Sequence, residues 1–101
     1  MKNKVLGLIP SRLSSKRLPQ KPLLKINGVP LIIHTYYRAK QSKKLDDLII
    51  CCDDKKIIKI AEQYGAKAIL TSKKHKNGTE RIYEGYRKIK KKYDFIVDIQ
   101  G

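Results

Sequence analysis

The chain has 101 residues, enough for one small domain, and its hydrophobic content of 41% excludes a disordered chain. Its formal net charge is +15, which should attract polyanions non-specifically at low salt. Only five of its 24 basic residues are arginine, the cation favoured for reading base edges, so the composition argues against a sequence-specific nucleic-acid surface.

The two cysteines are adjacent, at Cys51 and Cys52, and neighbours on a strand point to opposite faces. We therefore expect neither a disulfide between them nor a shared metal, and buried thiols suit a reducing cytoplasm. The apolar run near the start is only five residues long, so we expect no signal peptide. No apolar run approaches the roughly 20 residues that span a bilayer.

Apolar runs and turn signals predict strands alternating with helices along the chain. The predicted elements are a strand at 4–9, a loop at 10–22, an extended piece at 23–26, a turn at Asn27-Gly28, a helix from Pro30 to Lys40, a strand at 48–52, a helix from Asp54 to Gly65, a strand at 66–70, a polar loop at 71–77, a helix beginning near Thr79, and a strand at 95–99. This order predicts an α/β, Rossmann-like parallel sheet with helices on both faces and right-handed crossovers.

Residue types at the predicted helix ends support these boundaries. Asp54 is expected to be an N-cap and Gly65 the residue just after a helix end. The third helix should bury a stripe formed by Ile82, Tyr86 and Ile89, with Tyr93 continuing it. His34 lies inside an apolar helix, where we expect it to pack rather than to bind a ligand.

The carboxyl ends of parallel strands share one edge of a sheet, and ligands bind at that edge. Here the edge would carry the segments that start at Pro10, Asp53, Thr71 and Gln100. The sequence therefore predicts that these four segments form one site.

The loop at 10–22 combines cations and hydroxyl groups with proline. It holds three serines, three prolines and the cations Arg12, Lys16, Arg17 and Lys21. Arginine offers a planar fork, lysine a point charge and serine a neutral donor, a combination that suits a polyphosphate. The loop is neither a Walker A nor a dinucleotide-binding glycine motif. An ordinary solvated basic loop is the alternative, because lysine is abundant throughout the chain.

The stretch from Ile9 to Leu23 reads IPSRLSSKRLPQKPL, and it resembles the N-terminal signature of the sugar-acid cytidylyltransferases. Among these it is most similar to the CMP-Kdo synthetases, the 3-deoxy-manno-octulosonate cytidylyltransferases. The signature usually has alanine at Ser11 and glycine at Gln20. The change at Gln20 matters because glycine lets a backbone pass close to a ligand.

Three shorter segments are similar to the same family. The first is His75–Arg81, with Asn77 where serine is commoner. Its alternative role is purely structural, since Asn77 or Thr79 could cap a helix and Gly78 could turn the chain. The other two are the segment CCDD at 51–54 and the ending Ile99-Gln100-Gly101. Asp54 is more simply explained as a cap.

The resemblance implies a reaction of CTP with Kdo that gives CMP-Kdo and pyrophosphate, on a fold of the nucleotide-diphospho-sugar transferase type. Arg12 and Lys21 are the implied catalytic residues that bind the triphosphate. The implied substrate-binding residues are Ser11, Ser15, Arg17, Asp53, Gly78, Thr79, Arg81 and Gln100. Of these, Gly78 and Thr79 would lie near cytosine, whereas Arg81 and Gln100 would face the acidic sugar or organise the pocket.

Residues 1–101 would form the N-terminal nucleotide-binding part of one such domain, truncated after the fourth strand and inactive alone. The resemblance also implies Mg²⁺ held by carboxylates beyond Gly101, a homodimer in full-length relatives, and a cytoplasmic role in lipopolysaccharide synthesis. Two alternatives remain. One is a cytidylyltransferase for another acid sugar, of sialic or legionaminic type. The other is a non-enzymatic domain that binds polyanions, which would show a steep salt dependence and no preference for CTP.

Overall fold

The computed structural model describes residues 3–13 and 20–100, which form a parallel sheet with helices on both faces. The strands are β1 (Val5–Ser11), β2 (Lys25–Ile26), β3 (Val29–Pro30), β4 (Asp47–Cys52), β5 (Ala68–Leu70) and β6 (Phe95–Asp98). The helices are α1 (Leu31–Lys40), α2 (Lys55–Gln63) and α3 (Gly78–Ile89), and a single 3-10 turn covers Lys21–Leu23. No helix in the described ranges is long and apolar enough to cross a bilayer.

The four main strands lie in the order β5-β4-β1-β6, and all three neighbouring pairs are parallel. From β1 the chain moves outward to β4 and β5, and it then returns across α3 to place β6 on the other side of β1. The strand order therefore reverses between β1 and β6, which is where open α/β sheets bind ligands. The predicted fold class is confirmed.

Alternating side chains of the strands form two cores, one on each face of the sheet. On one face Ile9 and Ile50 pack with residues of α1 and α2, and on the other Leu8 and Ile49 pack with residues of α3. Cys51 and Cys52 divide between the two cores, as predicted. Burial raises the pKa of the Cys51 thiol to about 12 and that of Cys52 to about 11, which disfavours the thiolate form of both at neutral pH.

The predicted caps of α2 are confirmed, whereas α3 begins one residue earlier than predicted. Asp54 accepts a hydrogen bond from the Lys56 amide at 2.9 Å, and Gly65 has a φ of +74° just beyond the helix. In α3 the Asn77 side chain accepts from the Glu80 amide at 2.9 Å, so Gly78 is the first helical residue. The helix ends at Ile89, before Tyr93.

The segment before α1 also differs from the prediction. Residues 21–23 form a 3-10 turn, and a two-residue hairpin then joins β2 to β3 through Asn27 and Gly28. Both turn residues have positive φ, at 54° and 78°, which matches the right-handed twist of the strands. Pro30 therefore pairs with Lys25 in this hairpin, and α1 begins at Leu31.

Candidate functional site

A cleft crosses the carboxyl edge of the sheet at the end of β1. Two adjoining cavities form it, and they share Pro10, Ser11, Arg12 and Gln100. The first, which we call the α1 half, has a volume of about 260 Å³ and is also lined by Ile9, Lys21, Pro22, Leu31, Ile32 and Thr35. The second, the α3 half, has a volume of about 240 Å³ and is also lined by His75, Lys76, Asn77, Gly78 and Arg81.

The lysine and arginine residues that line the cleft give it a positive charge. Arg12 lines both halves, Lys21 lines the α1 half, and Lys76 and Arg81 line the α3 half. No aspartate or glutamate is among these lining residues. A groove with one sign of charge concentrates ligands of the opposite sign, so the cleft is suited to an anion.

A buried ion pair holds the loops of the cleft together. The Asp53 carboxylate accepts from the Leu13 amide at 2.9 Å, and its other oxygen lies 4.0 Å from Arg81 Nη2. Arg81 Nη1 donates to Thr71 Oγ1 at 2.7 Å and to the Ser72 carbonyl at 2.9 Å. Since the side chains of Asp53 and Arg81 are 2% and 3% exposed, these contacts are shielded from water. The pair therefore joins the segments that follow β1, β4 and β5 to α3.

Asp53 is not among the residues that line the cleft. Its contacts with the Leu13 amide and Arg81 give it a supporting role beside the cleft. Contact between Asp53 and a ligand stays a prediction.

Gly78 permits a close approach between the start of α3 and the end of β1. A Cβ at this position would lie 2.9 Å from Pro10 Cγ and 2.9 Å from Gln100 Nε2. Both distances are shorter than ordinary contacts. The Gln100 side-chain nitrogen Nε2 donates to Oδ1 of Asp98, the last residue of β6, at 2.7 Å. The absence of a side chain at Gly78 thus allows Pro10 and Gln100 to pack against the first turn of α3.

The basic loop closes where Gln20 meets Leu13. The Gln20 amide donates to the Leu13 carbonyl at 2.8 Å, and Gln20 has a φ of +59°. That left-handed conformation explains why glycine is usual at this position of the signature. Ser15 and Arg17, which were predicted to support phosphate binding, lie outside the described residues.

The structure brings together most of the predicted site residues that it describes. The cleft contains Ser11, Arg12, Lys21, Gly78, Arg81 and Gln100. Thr79 instead borders a neighbouring depression with Tyr83 and Arg87, and this depression shares His75 with the α3 half.

His75 and Thr35 line the cleft, and sequence reasoning did not assign them to the site. His75 Nε2 lies 2.6 Å from Glu84 Oε1, which also accepts from the Ser72 amide at 2.9 Å. The position of His75 at the start of the segment His75–Arg81, which resembles the family, could have identified it. Thr35 lies in an apolar helix and gave no signal.

Comparisons with known proteins agree with this arrangement. The family model described as "Cytidylyltransferase" matches residues 6–101. The 3-deoxy-manno-octulosonate cytidylyltransferase of Fusobacterium nucleatum is 49% identical over 98 residues, which are 97% of this chain and 39% of that protein. The mitochondrial enzyme of the same name from Arabidopsis thaliana is 42% identical over 100 residues, which are 99% of this chain and 34% of that protein.

A solved structure is also similar. It is that of CMP:2-keto-3-deoxy-manno-octonic acid synthetase complexed with CTP, with a TM-score of 0.89 and 37% identity. The similarity covers 96% of this chain and 39% of that one. The chain thus spans between a third and two-fifths of the length of these relatives.

Proposed function

This chain belongs to the cytidylyltransferase family, and we propose that it forms the nucleotide-binding part of an enzyme that couples CTP to Kdo. The observation that carries the proposal is the cleft between the ends of β1 and β6, which is lined by cations and by no carboxylate among its described residues. It lies where the strand order reverses. The solved relative that is complexed with CTP supports the choice of nucleotide.

In the proposed reaction the anomeric hydroxyl oxygen of Kdo attacks the α-phosphorus of CTP. The new bond joins the sugar oxygen to phosphorus, the bond between the α-phosphorus and the bridging oxygen breaks, and pyrophosphate leaves with that oxygen. The hydroxyl proton passes to solvent or to a base. Catalysis of this kind rests on positioning and on neutralising charge. Arg12 and Lys21 would bind the triphosphate oxygens and hold the α-phosphate in line.

The α3 half of the cleft would take the base. Asn77 caps α3 through its side chain, so we propose that the backbone at Gly78 lies beside cytosine. The Arg81 guanidinium donates hydrogen bonds to Thr71 and Ser72 and lies near the Asp53 carboxylate, and we propose that it organises the pocket. Gln100 lines both halves and would face the sugar acid.

Magnesium is part of the proposal for the whole domain, with carboxylate ligands beyond Gly101. In the part of the chain that the structure describes, no group of three or more His, Cys, Asp or Glu residues could hold a metal ion. The described cleft thus does not fit the ion by itself, and we assign no step to it. The whole domain would act as a cytoplasmic homodimer in lipopolysaccharide synthesis.

The test is calorimetric titration of the chain with CTP, UTP and ATP. Arg12→Ala and Lys21→Ala should each weaken CTP binding by roughly 1.5–3 kcal/mol, the strength of a charge-assisted hydrogen bond. Lys59→Ala is the matched control, because Lys59 is an exposed lysine of α2 outside the cleft. Equal affinity for all three nucleotides, or unchanged CTP affinity in both cleft variants, would overturn the proposal.

The nucleotide titration, together with a DNA titration at several salt concentrations, distinguishes the proposed function from simple polyanion binding. A non-enzymatic basic domain would bind duplex DNA with a steep salt dependence and would not distinguish CTP from ATP. Among acid sugars, we propose Kdo because the matched relatives are named for it. A pyrophosphate-release assay with CTP, Kdo and Mg²⁺ should show no turnover by residues 1–101 alone.

A further inference from the structure

Ser11 has a buried hydroxyl without a partner. Ser11 is the last residue of β1 and is 6% exposed. Its Oγ is the buried side-chain polar atom that has no hydrogen-bond partner among the described residues. Buried polar groups are nearly always hydrogen-bonded, and an unpartnered one lowers stability. This position therefore carries a cost in the ligand-free chain that alanine would avoid.

The position of Ser11 in the cleft suggests what could satisfy the hydroxyl. Ser11 lines both halves, so it lies at their junction. Lys21 belongs to the α1 half and Gly78 to the α3 half. If the triphosphate and the base occupy those halves as proposed above, the covalent order of a nucleotide places its ribose at the junction.

The chemistry of serine suits a neutral sugar better than a phosphate. A serine hydroxyl both donates and accepts, which matches a ribose hydroxyl that also does both. The charged oxygens of the triphosphate already have Arg12 and Lys21 nearby. The Ser11 hydroxyl hydrogen rotates about the Cβ–Oγ bond, so the group can donate to or accept from a neighbouring hydroxyl without movement of the backbone.

We propose that Ser11 binds a ribose hydroxyl of the nucleotide and thereby favours a ribonucleotide over a deoxyribonucleotide. The inference rests on the proposed function, because it takes the orientation of CTP from it. It goes further by assigning a specificity role to a residue that departs from the family signature, which has alanine here. The bound nucleotide would then supply the partner that the free chain lacks.

The experiment titrates wild-type chain and Ser11→Ala with CTP, 2′-deoxy-CTP and 3′-deoxy-CTP, and it also measures the Tm of both ligand-free proteins. Ser11→Ala should weaken CTP binding roughly 3- to 10-fold, the scale of one neutral hydrogen bond. It should leave the affinity unchanged for whichever deoxy analogue lacks the contacted hydroxyl. The Tm of the ligand-free variant should rise, because the unpartnered group is gone.

Ser42→Ala is the matched control. Ser42 is exposed, lies outside the cleft, and its hydroxyl accepts from the Lys44 amide at 3.3 Å. It should change no nucleotide affinity.

Two results would overturn the inference alone. One is an equal loss for CTP and both deoxy analogues, which would place the contact on phosphate or base. The other is a lower Tm for ligand-free Ser11→Ala, which would mean that the hydroxyl already has a partner in the chain. Absence of any CTP binding by the wild-type chain would refute the proposed function together with this inference.

Discussion

Gly78→Ala should damage the cleft more than it damages the fold. The added Cβ would lie 2.9 Å from Pro10 Cγ and from Gln100 Nε2, which is roughly 0.6–1.1 Å inside ordinary contact distance. The Gln100 side chain can swing away, but Pro10 belongs to the central strand of the sheet. Either Gln100 leaves its place or the first turn of α3 retreats, and both responses reshape the α3 half.

The expected magnitudes follow from two opposing terms. Overpacking costs about 1–3 kcal/mol, whereas replacing glycine by alanine in a helix returns about 0.5–1 kcal/mol. Together these terms give a net loss of about 0–2.5 kcal/mol of stability for Gly78→Ala, since movement of the exposed Gln100 side chain relieves only one of the two contacts. CTP affinity should fall by roughly tenfold or more, because Gln100 or the first turn of α3 is displaced from the position in which it would contact the ligand.

Gly85→Ala is the matched comparison, because Gly85 lies seven residues later on the same side of α3. A Cβ there would overlap the Sγ of Cys51, which is fully buried in the sheet. This overlap cannot be relieved by an exposed side chain, so the variant should lose roughly 2–3 kcal/mol of stability. Urea denaturation and CTP titration of both variants are the assays. If Gly78→Ala binds CTP like the wild type, the approach of α3 to Pro10 and Gln100 does not shape the nucleotide site.

Three further predictions concern regions beside the cleft. Gln20→Gly should stabilise the chain by about 0.5–1 kcal/mol, because it relieves a left-handed residue, and a lower urea midpoint would contradict this. The pKa of Glu84 is lowered from 4.5 to about 2, first by the hydrogen bond from the Ser72 amide and then by Lys88 and His75. The contacts of the ionised Glu84 therefore stabilise the fold above pH 4.5, and this stabilisation is lost as the pH falls towards 2. The Tm values of wild type and Glu84→Gln should therefore converge from pH 5 to pH 2, and a constant difference would refute it. We expect the 101-residue chain to self-associate through β6, because this strand lies at one end of the described sheet and exposes apolar side chains. Val97→Lys should reduce that association in sedimentation velocity, and identical profiles would exclude that edge.

The order of the elements was predictable because each strand is a short apolar run bounded by polar residues. Local chemistry also predicted Asp54 as a cap and Gly65 as a left-handed residue. The start of α3 was harder, since Asn77 and Thr79 can both cap a helix. The side chain of Asn77 reaches the Glu80 amide, which decides the boundary. Pro30 was ambiguous in the same way, because its φ of −58° fits both a hairpin end and a first helical turn.

The location of the site was predictable, but the direction of individual side chains was not. Sheet topology placed Asp53 at the correct edge, yet its partners Leu13 and Arg81 are distant in sequence and their positions follow from tertiary packing. Thr79 lies next to a lining residue and still points to a different depression, because successive residues of a helix face different directions. A motif therefore identifies a segment, and packing decides which of its side chains line the cleft.

The buried pair of Asp53 and Arg81 has a consequence for how the cleft binds. Asp53 fixes the loop after β1 through the Leu13 amide, and Arg81 fixes the segment after β5 through Thr71 and Ser72. Both walls are thus positioned by contacts made within the protein. Binding to a preformed site avoids the entropy cost of ordering loops, which leaves more of the interaction energy for affinity. Removing one partner would leave the other charge buried and unpaired, a change that costs about 3–5 kcal/mol. Substitution of Asp53 should therefore weaken nucleotide binding by loosening both walls, without any need for contact between Asp53 and the nucleotide.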